Sequence, residues 1–392
     1  MMMPAKMARH RTEADIVVIG GGVIGTAVTY YLASAGADVL LVERRELNRE
    51  ASGSSAGNLH LQLVGSAKRL RRGEPTGRLG SVARLHALAH RIWTGLEAEL
   101  GCELGVRLGG GLTVADTADG VESLRAKAEL ERAAGVEVEV ISGAEVRAIE
   151  PWLDADILAA AWCPGEGYAN PLLVAPAYAR LAAQAGARIS TWAEVQRIER
   201  RSTGFVITTG AGIVRAGKVV NAAGAWAGHI SAMVGADLPV TGLVLTMNVT
   251  EPHPPLLSTV VQHVRQLLTL KQTQYGTFLI GGGWPANIAP DGQTQVPDLA
   301  CVRQNMQVAC AVMPALRQVR LLRSWAAVSP QTGDLTCILG QLPAVRDFYV
   351  AVADHTGFTL APLIGRAVAH LIIEGDPSVD VDDFLLGGRG AA

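Results

Sequence analysis

Gly20-Gly-Gly22-Val-Ile-Gly25 sets three glycines at the spacing G-x-G-x-x-G. That spacing suits a turn that cradles phosphate. Gly20 permits the tight turn, Gly22 lets backbone amides approach a pyrophosphate, and Gly25 lets the next helix pack close to its sheet. The N-terminus of that helix then offers free N–H donors and a positive dipole end to an anion. Glu43 follows, 18 residues after Gly25. A carboxylate there accepts hydrogen bonds from ribose hydroxyls and argues against a 2′-phosphate. Arg44 beside it is readable as a phosphate ligand, but such a residue more often stacks on adenine or faces solvent.

The next chemistry-bearing stretch is Ala51-Ser-Gly-Ser-Ser-Ala-Gly-Asn58-Leu-His60. A loop of such small residues lets backbone and hydroxyls approach a flat ligand closely; the alternative is a flexible linker. The glycine fingerprint alone leaves NAD and FAD both open. A protein-built metal site is not expected. The five cysteines include no C-x-x-C pair, and the nine histidines show neither H-x-x-E-H nor H-E-x-x-H spacing. The odd, scattered cysteines suit reduced thiols in a cytoplasmic protein.

These residues need elements to position them. The run 15–19 reads as a buried parallel strand, 23–34 as a helix stopped by Gly36, and 38–42 as a second strand, together a βαβ unit. The span 16–37 is uncharged, but its glycines fall in the first half, so strand–turn–helix is expected rather than a membrane span. Helices are expected at 84–100, 121–134, 170–185, 299–313 and 363–374. Strands are expected at 193–200, 204–209, 218–222 and 349–353, and across 238–280 with a proline-rich break. Residues 1–14 read as a flexible leader. Helical and strand segments alternate, so an α/β domain interrupted by an α+β region is expected. The chain has 392 residues, 49% hydrophobic and 18% charged, with a net charge of −2, which excludes a disordered polyelectrolyte. No basic stripe is present to recruit nucleic acid. Glycine is abundant at 44 residues, which poses the question of what the backbone approaches so often.

The segments Val17-Val-Ile-Gly-Gly-Gly-Val-Ile-Gly25 and Ala51-Ser-Gly-Ser-Ser-Ala-Gly57 resemble the D-amino-acid oxidase superfamily of FAD enzymes, especially its glycine and sarcosine oxidase branch. Glu166-Gly-Tyr-Ala-Asn-Pro171, Val219-Val-Asn-Ala-Ala-Gly-Ala-Trp226, Arg323-Ser-Trp-Ala-Ala327 and His355-Thr-Gly-Phe-Thr-Leu-Ala-Pro362 match in the same order. The resemblance implies an α/β fold. A Rossmann-like FAD-binding domain (15–85, 145–228 and 326–392) is interleaved with an α+β substrate domain built on an antiparallel sheet (86–144 and 229–325).

It also implies roles. Val23 and Ile24 would lie under the pyrophosphate. Glu43, Arg44, Ala223, Gly224 and Trp226 would lie near the adenosine, with the Val195 backbone on adenine. Ala51, Ser52, Ala56, Gly57, Asn58 and Leu59 would line the flavin. His355, Thr356, Gly357, Phe358 and Thr359 would face the isoalloxazine and ribityl chain, in a loop before the 363–374 helix.

Within the superfamily, Leu279-Ile-Gly-Gly-Gly-Trp-Pro-Ala286 and Ala56-Gly-Asn-Leu-His-Leu-Gln62 resemble the B subunits of opine oxidases and the C subunit of hydrogen cyanide synthase. The implied reaction oxidises a C–N bond by hydride transfer to FAD, on an amine, amino acid or opine. The implied partner is a second subunit carrying another redox centre, with no direct membrane anchor on this chain. The alternative is a flavin-bearing electron-transfer or assembly subunit with a degenerate pocket.

That alternative rests on a departure. Two arginines that hold the substrate carboxylate in glycine oxidase-like enzymes align with Ser329 and His355 here. A charge-assisted hydrogen bond of that kind contributes roughly 1.5–3 kcal/mol. Arg265, Lys271 and Arg323 are candidate substitutes, each also readable as an ordinary surface charge. His60, Tyr275, Trp284, Ser329 and His355 are the candidate catalytic residues; for His60, Tyr275 and Trp284 structural packing is an equal reading. Cys337, in an apolar run, reads as core.

Overall fold

The computed structural model describes residues 13–65, 76–333 and 337–386. The expected leader lies outside these except for Glu13 and Ala14, which already belong to the first strand, Glu13–Ile19. That strand is buried on both faces at Val17 and Val18, as an uninterrupted β-branched run dictates for a parallel sheet covered by helices.

Two eight-stranded sheets organise the chain. In the first, Glu13–Ile19 lies between Val39–Val42 and Gly212–Asn221, parallel to both. Arg188–Ser190 and Phe348–Ala353 extend the parallel set, and Cys337–Gln341 closes one edge antiparallel. The helices Val23–Ser34 and Gly357–Glu374 pack against each other beside this sheet, and Pro171–Gln184 packs on the former. Asn170 caps the latter helix through the Leu172 N–H, and Pro171 occupies its first turn, where no N–H is needed.

The second sheet is antiparallel apart from the parallel pair Gly111–Ala115 and Val260–His263. Its long ribbon joins Thr241–Pro252 to Leu321–Gln331. The expected strand region 238–280 resolves into Thr241–Pro252, Val260–His263, Thr269–Gln272 and Thr277–Gly281.

The C-terminal helix departs from expectation. It starts at Gly357, not at 363, and carries Pro362 inside it. Proline lacks the N–H that would bond back to the carbonyl of residue 358, so a proline after several turn-forming residues reads as a helix start. Phe358 and Thr359 therefore belong to the first turn of a helix rather than to a loop. This helix is long and apolar enough to cross a membrane by composition, yet 67% of it is buried inside the fold.

Candidate functional site

A cavity of about 880 Å³ is lined by strand ends of the first sheet, among them Ile19 and Val42, and by Leu245, Met247, Thr269 and Ser329 of the second. That is near the upper end of the range for small-molecule sites, ~300–1,000 Å³.

The glycine turn forms part of its wall. Gly20 has φ +113°, and a Cβ there would stand 2.5 Å from the Ala222 carbonyl oxygen. A Cβ on Gly25 would overlap the Gly20 carbonyl oxygen. Gly25 thus lies behind the wall, bringing helix to sheet. Gly20, Gly22, Val23 and Ile24 line the cavity itself. Gly22, the residue before the helix, contributes no side-chain cap. Instead the Ser52 hydroxyl accepts the Val23 N–H at 3.0 Å, which places the second loop against the helix N-terminus.

Glu43, Arg44, Val195, Ala223, Gly224 and Trp226 form one lining group. The Glu43 carboxylate is held by the Gly21 N–H at 2.7 Å and the Arg45 N–H at 2.9 Å. Arg44 lines the cavity rather than facing solvent. Its guanidinium lies 3.6 Å from the Trp226 ring centroid and pairs with Glu50 at 2.5 Å. An indole face and a carboxylate together hold an Arg better than solvent does.

Ala51, Ser52, Ala56, Gly57 and Asn58 line the cavity further along, with His60 and His355, Thr356, Gly357, Phe358 and Thr359. The His60 N–H donates to Thr359 Oγ1 at 3.0 Å, joining these two segments. Leu59 does not line the cavity. Strand alternation between Asn58 and His60 turns it the other way, into a core with Trp93 and Tyr178.

Of the catalytic candidates, His60, Ser329 and His355 line the cavity, while Tyr275 and Trp284 do not. Tyr275 is 68% exposed, at the turn after Thr269–Gln272. The Trp284 indole N–H is committed to the Leu267 carbonyl at 2.7 Å. The three proposed arginine substitutes also lie off the wall. Arg265 pairs with Asp119, Arg323 leans on Trp325, and Lys271 donates to the Ala56 carbonyl beneath the small-residue loop. Burial holds the Lys271 amine well below its ordinary range. Among the described lining residues Arg44 is the only Lys or Arg.

Sequence reading missed what lies behind His60. The Lys127 ammonium, buried, donates to Gln62 Oε1 at 2.7 Å and pairs with Glu131 at 2.8 Å. Glu131 Oε1 accepts the Leu63 N–H at 2.6 Å, and Glu166 Oε1 accepts the N–H groups of Leu61 and Gln62 at 3.0 and 2.9 Å. Three successive amides of the segment following His60 thus rest on two buried carboxylates. Burial pushes Glu166 up to about 7, against the hydrogen bonds of Gln62 and the charge of Lys127. Burial, with the charges of Lys271 and Lys127, pushes His60 down to about 3. The one sequence signal was Lys127 and Glu131 at i,i+4 on the helix face that also carries Leu124 and Ala128.

The profile of the DAO family, described as "FAD dependent oxidoreductase", matches residues 15–371. The chain belongs to this family. It is similar to the glycine oxidase of Geobacillus kaustophilus (strain HTA426), 29% identical over 374 residues, spanning 95% of this chain and 96% of that protein. It is 28% identical over 379 residues to the sarcosine oxidase subunit beta of Rhizobium meliloti (strain 1021), spanning 95% and 87% respectively. The crystal structure of the Geobacillus kaustophilus glycine oxidase superposes with a TM-score of 0.84 at 27% identity, covering 97% of this chain and all of that one.

The chain is an FAD-dependent oxidoreductase, which decides between the two dinucleotides that the fingerprint left open. The residues fit the cofactor. The turn before Val23–Ser34 cannot take a Cβ at Gly20, the helix start carries no side-chain cap from Gly22, and the Glu43 carboxylate stands at the wall.

Proposed function

We propose that this chain oxidises the C–N bond of an amino acid or an opine, as the flavin subunit of a heteromeric cytoplasmic enzyme. The observation that carries the reading is one continuous cavity. It joins the glycine turn and Glu43 to a wall of His60, Leu245, Met247, Thr269, Ser329 and His355. The turn, Ser52 and Glu43 line the part of the cavity that would hold the dinucleotide, and the second wall the part that would hold a substrate beside it. FAD, when bound, supplies the acceptor for a hydride. The residues orient and exclude water. Leu245, Met247 and Leu267 offer apolar surface, and the helix Gly357–Glu374 directs its positive end at the cavity, where it favours negative charge.

The Ser329 and His355 positions both face the cavity without a guanidinium. A carboxylate there meets hydroxyls and imidazoles, which suits an opine, whose two carboxyl arms spread the anchoring over more contacts. Similarity to a sarcosine oxidase subunit beta supports the heteromer. Anaerobic mixing of the yellow protein with opines, D-amino acids, glycine and N-methyl amino acids tests the reading. Bleaching by one class, with release of a carbonyl product, is expected. Co-purification with a second redox subunit tests the partner.

The missing guanidinium also favours the second reading, a flavin-bearing electron-transfer subunit. Under it, no amine bleaches the flavin even in the complete complex.

A further inference from the structure

We infer that His355, oriented by Asp354, accepts the proton of the substrate's ammonium group before its C–N bond is oxidised. The inference rests on the amine-oxidising reading above.

An amine is oxidised through its free lone pair, while most amines enter water as ammonium ions. The cavity therefore needs a proton acceptor near the reacting nitrogen. Among the described lining residues the carboxylates are Glu43, Glu50, Glu194 and Asp354, and the first three belong with Arg44 and Val195. The lining histidines are His60, His229 and His355; His229 belongs with Trp226 and Ile230, away from the other two, and His86 adjoins His355 in a small neighbouring space.

Asp354 is buried, and its acceptor sites are filled. Oδ1 accepts the His355 backbone N–H at 2.6 Å and lies 2.8 Å from His355 Nδ1. Oδ2 accepts the Thr332 N–H at 2.8 Å and the Thr332 hydroxyl at 3.2 Å. Burial alone would raise this carboxyl, but the hydrogen bonds from His355 and Thr332 hold it below its ordinary range. An ionised acceptor at Nδ1 requires the proton on Nδ1, so the neutral ring keeps its lone pair on Nε2. The ring is 28% exposed and lines the cavity, so that lone pair is open to a bound amine.

The neighbouring imidazoles are poorer acceptors. Burial, with the charges of Lys271 and Lys127, drives His60 down to about 3. Burial drives His86 down to about 4, and its Nε2 lies 3.3 Å from Thr356 Oγ1. Neither has a carboxylate within hydrogen-bond distance. Glu166 is 3.9 Å from His60 Nδ1 and is engaged by Leu61 and Gln62. His355 alone in this corner combines an ionised orienting partner with access to the cavity.

The step balances. One N–H bond of the ammonium breaks and an Nε2–H bond forms on His355. The freed lone pair becomes the second C–N bond as the α-hydrogen leaves with its bonding electrons to FAD, the oxidant the family carries. The proton on His355 later passes to water, and the C=N product is hydrolysed. An arginine at this place would anchor a carboxylate but could not accept a proton. The two roles are therefore separable.

The test uses the FAD-loaded protein and the amine that bleaches it fastest. With an internal acceptor the proton stays inside the complex, so the wild-type reduction rate levels off with pH. His355→Gln should be slower by about 100-fold or more at neutral pH. Its rate should then rise tenfold per pH unit, because only the fraction that enters as free amine reacts. His355→Arg should not restore the plateau, and Asp354→Asn should slow reduction while retaining flavin. Independently of turnover, ¹⁵N-histidine spectra of the oxidised protein, assigned by loss in His355→Gln, should show the Nδ1–H tautomer. A parallel pH profile in His355→Gln, rescue by His355→Arg, or an Nε2–H tautomer overturns the role of His355. If no amine bleaches the wild type, the amine reading itself fails and takes this role with it, whatever the tautomer.

Discussion

Glu166 holds Gln62 twice: Oε1 accepts its backbone N–H and Oε2 its side-chain amide, both at 2.9 Å. Gln62 in turn offers Oε1 to Lys127 and to the Thr113 hydroxyl. The direction of every bond in this buried chain follows from Lys127, which can only donate. Glu166→Gln would set an amide donor against the Gln62 amide donor. One buried donor without a partner costs about 1–3 kcal/mol. A loss of that size is expected in urea unfolding of the holoprotein, and an unchanged midpoint contradicts it.

Lys127→Met strands the Glu131 carboxylate in the core. Breaking a buried pair costs about 3–5 kcal/mol. Adding Glu131→Gln should recover part of that loss, since the new side-chain oxygen still accepts the Leu63 N–H. The pair of melting temperatures checks this; a double variant no better than the single one contradicts it.

Acid sensitivity follows from the buried imidazoles. His60 and His86 fall from 6.5 to about 3 and about 4, so on unfolding each takes up a proton below about pH 6.5, and stability drops as pH falls. Glu166 rises from 4.5 to about 7, so unfolding releases its proton between those values, and its contribution to stability falls as pH rises. Between about pH 4.5 and 6.5 the two histidines outweigh the one carboxyl. The net is about one proton, or about 1.4 kcal/mol per pH unit. His86→Gln should flatten the melting temperature across that window, and an undiminished slope contradicts the assignment.

The glycine turn predicts a graded pair. A Cβ on Gly25 meets backbone, so Gly25→Ala should yield little folded protein. At Gly22 the nearest atom is Ser52 Oγ at 3.0 Å, so Gly22→Ala should fold and lose flavin on desalting. Equal flavin retention in the Gly22 variant and the wild type would count against the turn as part of the cofactor site.

Much of the cavity wall was legible because its residues are close in sequence and constrained by type: Gly20, Gly22, Glu43 and the 51–58 loop each answer a local demand. Errors came where side-chain type stood in for direction. Strand alternation turns Leu59 inward, away from its lining neighbours, and the rings of Tyr275 and Trp284, which fit packing as well as a pocket wall, lie off the cavity. Pro362 hid the true start of the last helix, and with it the helical setting of Phe358 and Thr359. The Gln62–Lys127–Glu131–Glu166 chain was illegible because its members come from distant segments and share no spacing. Asp354 was passed over beside His355 because only the fold turns its carboxylate onto the ring and Thr332.

The central claim, an FAD site that oxidises amines, is tested most directly by anaerobic titration of the purified yellow protein, with any co-purifying subunit, against amino acids and opines. Loss of the oxidised flavin spectrum with one carbonyl released per flavin is predicted. A flavin that stays oxidised under every amine would contradict it.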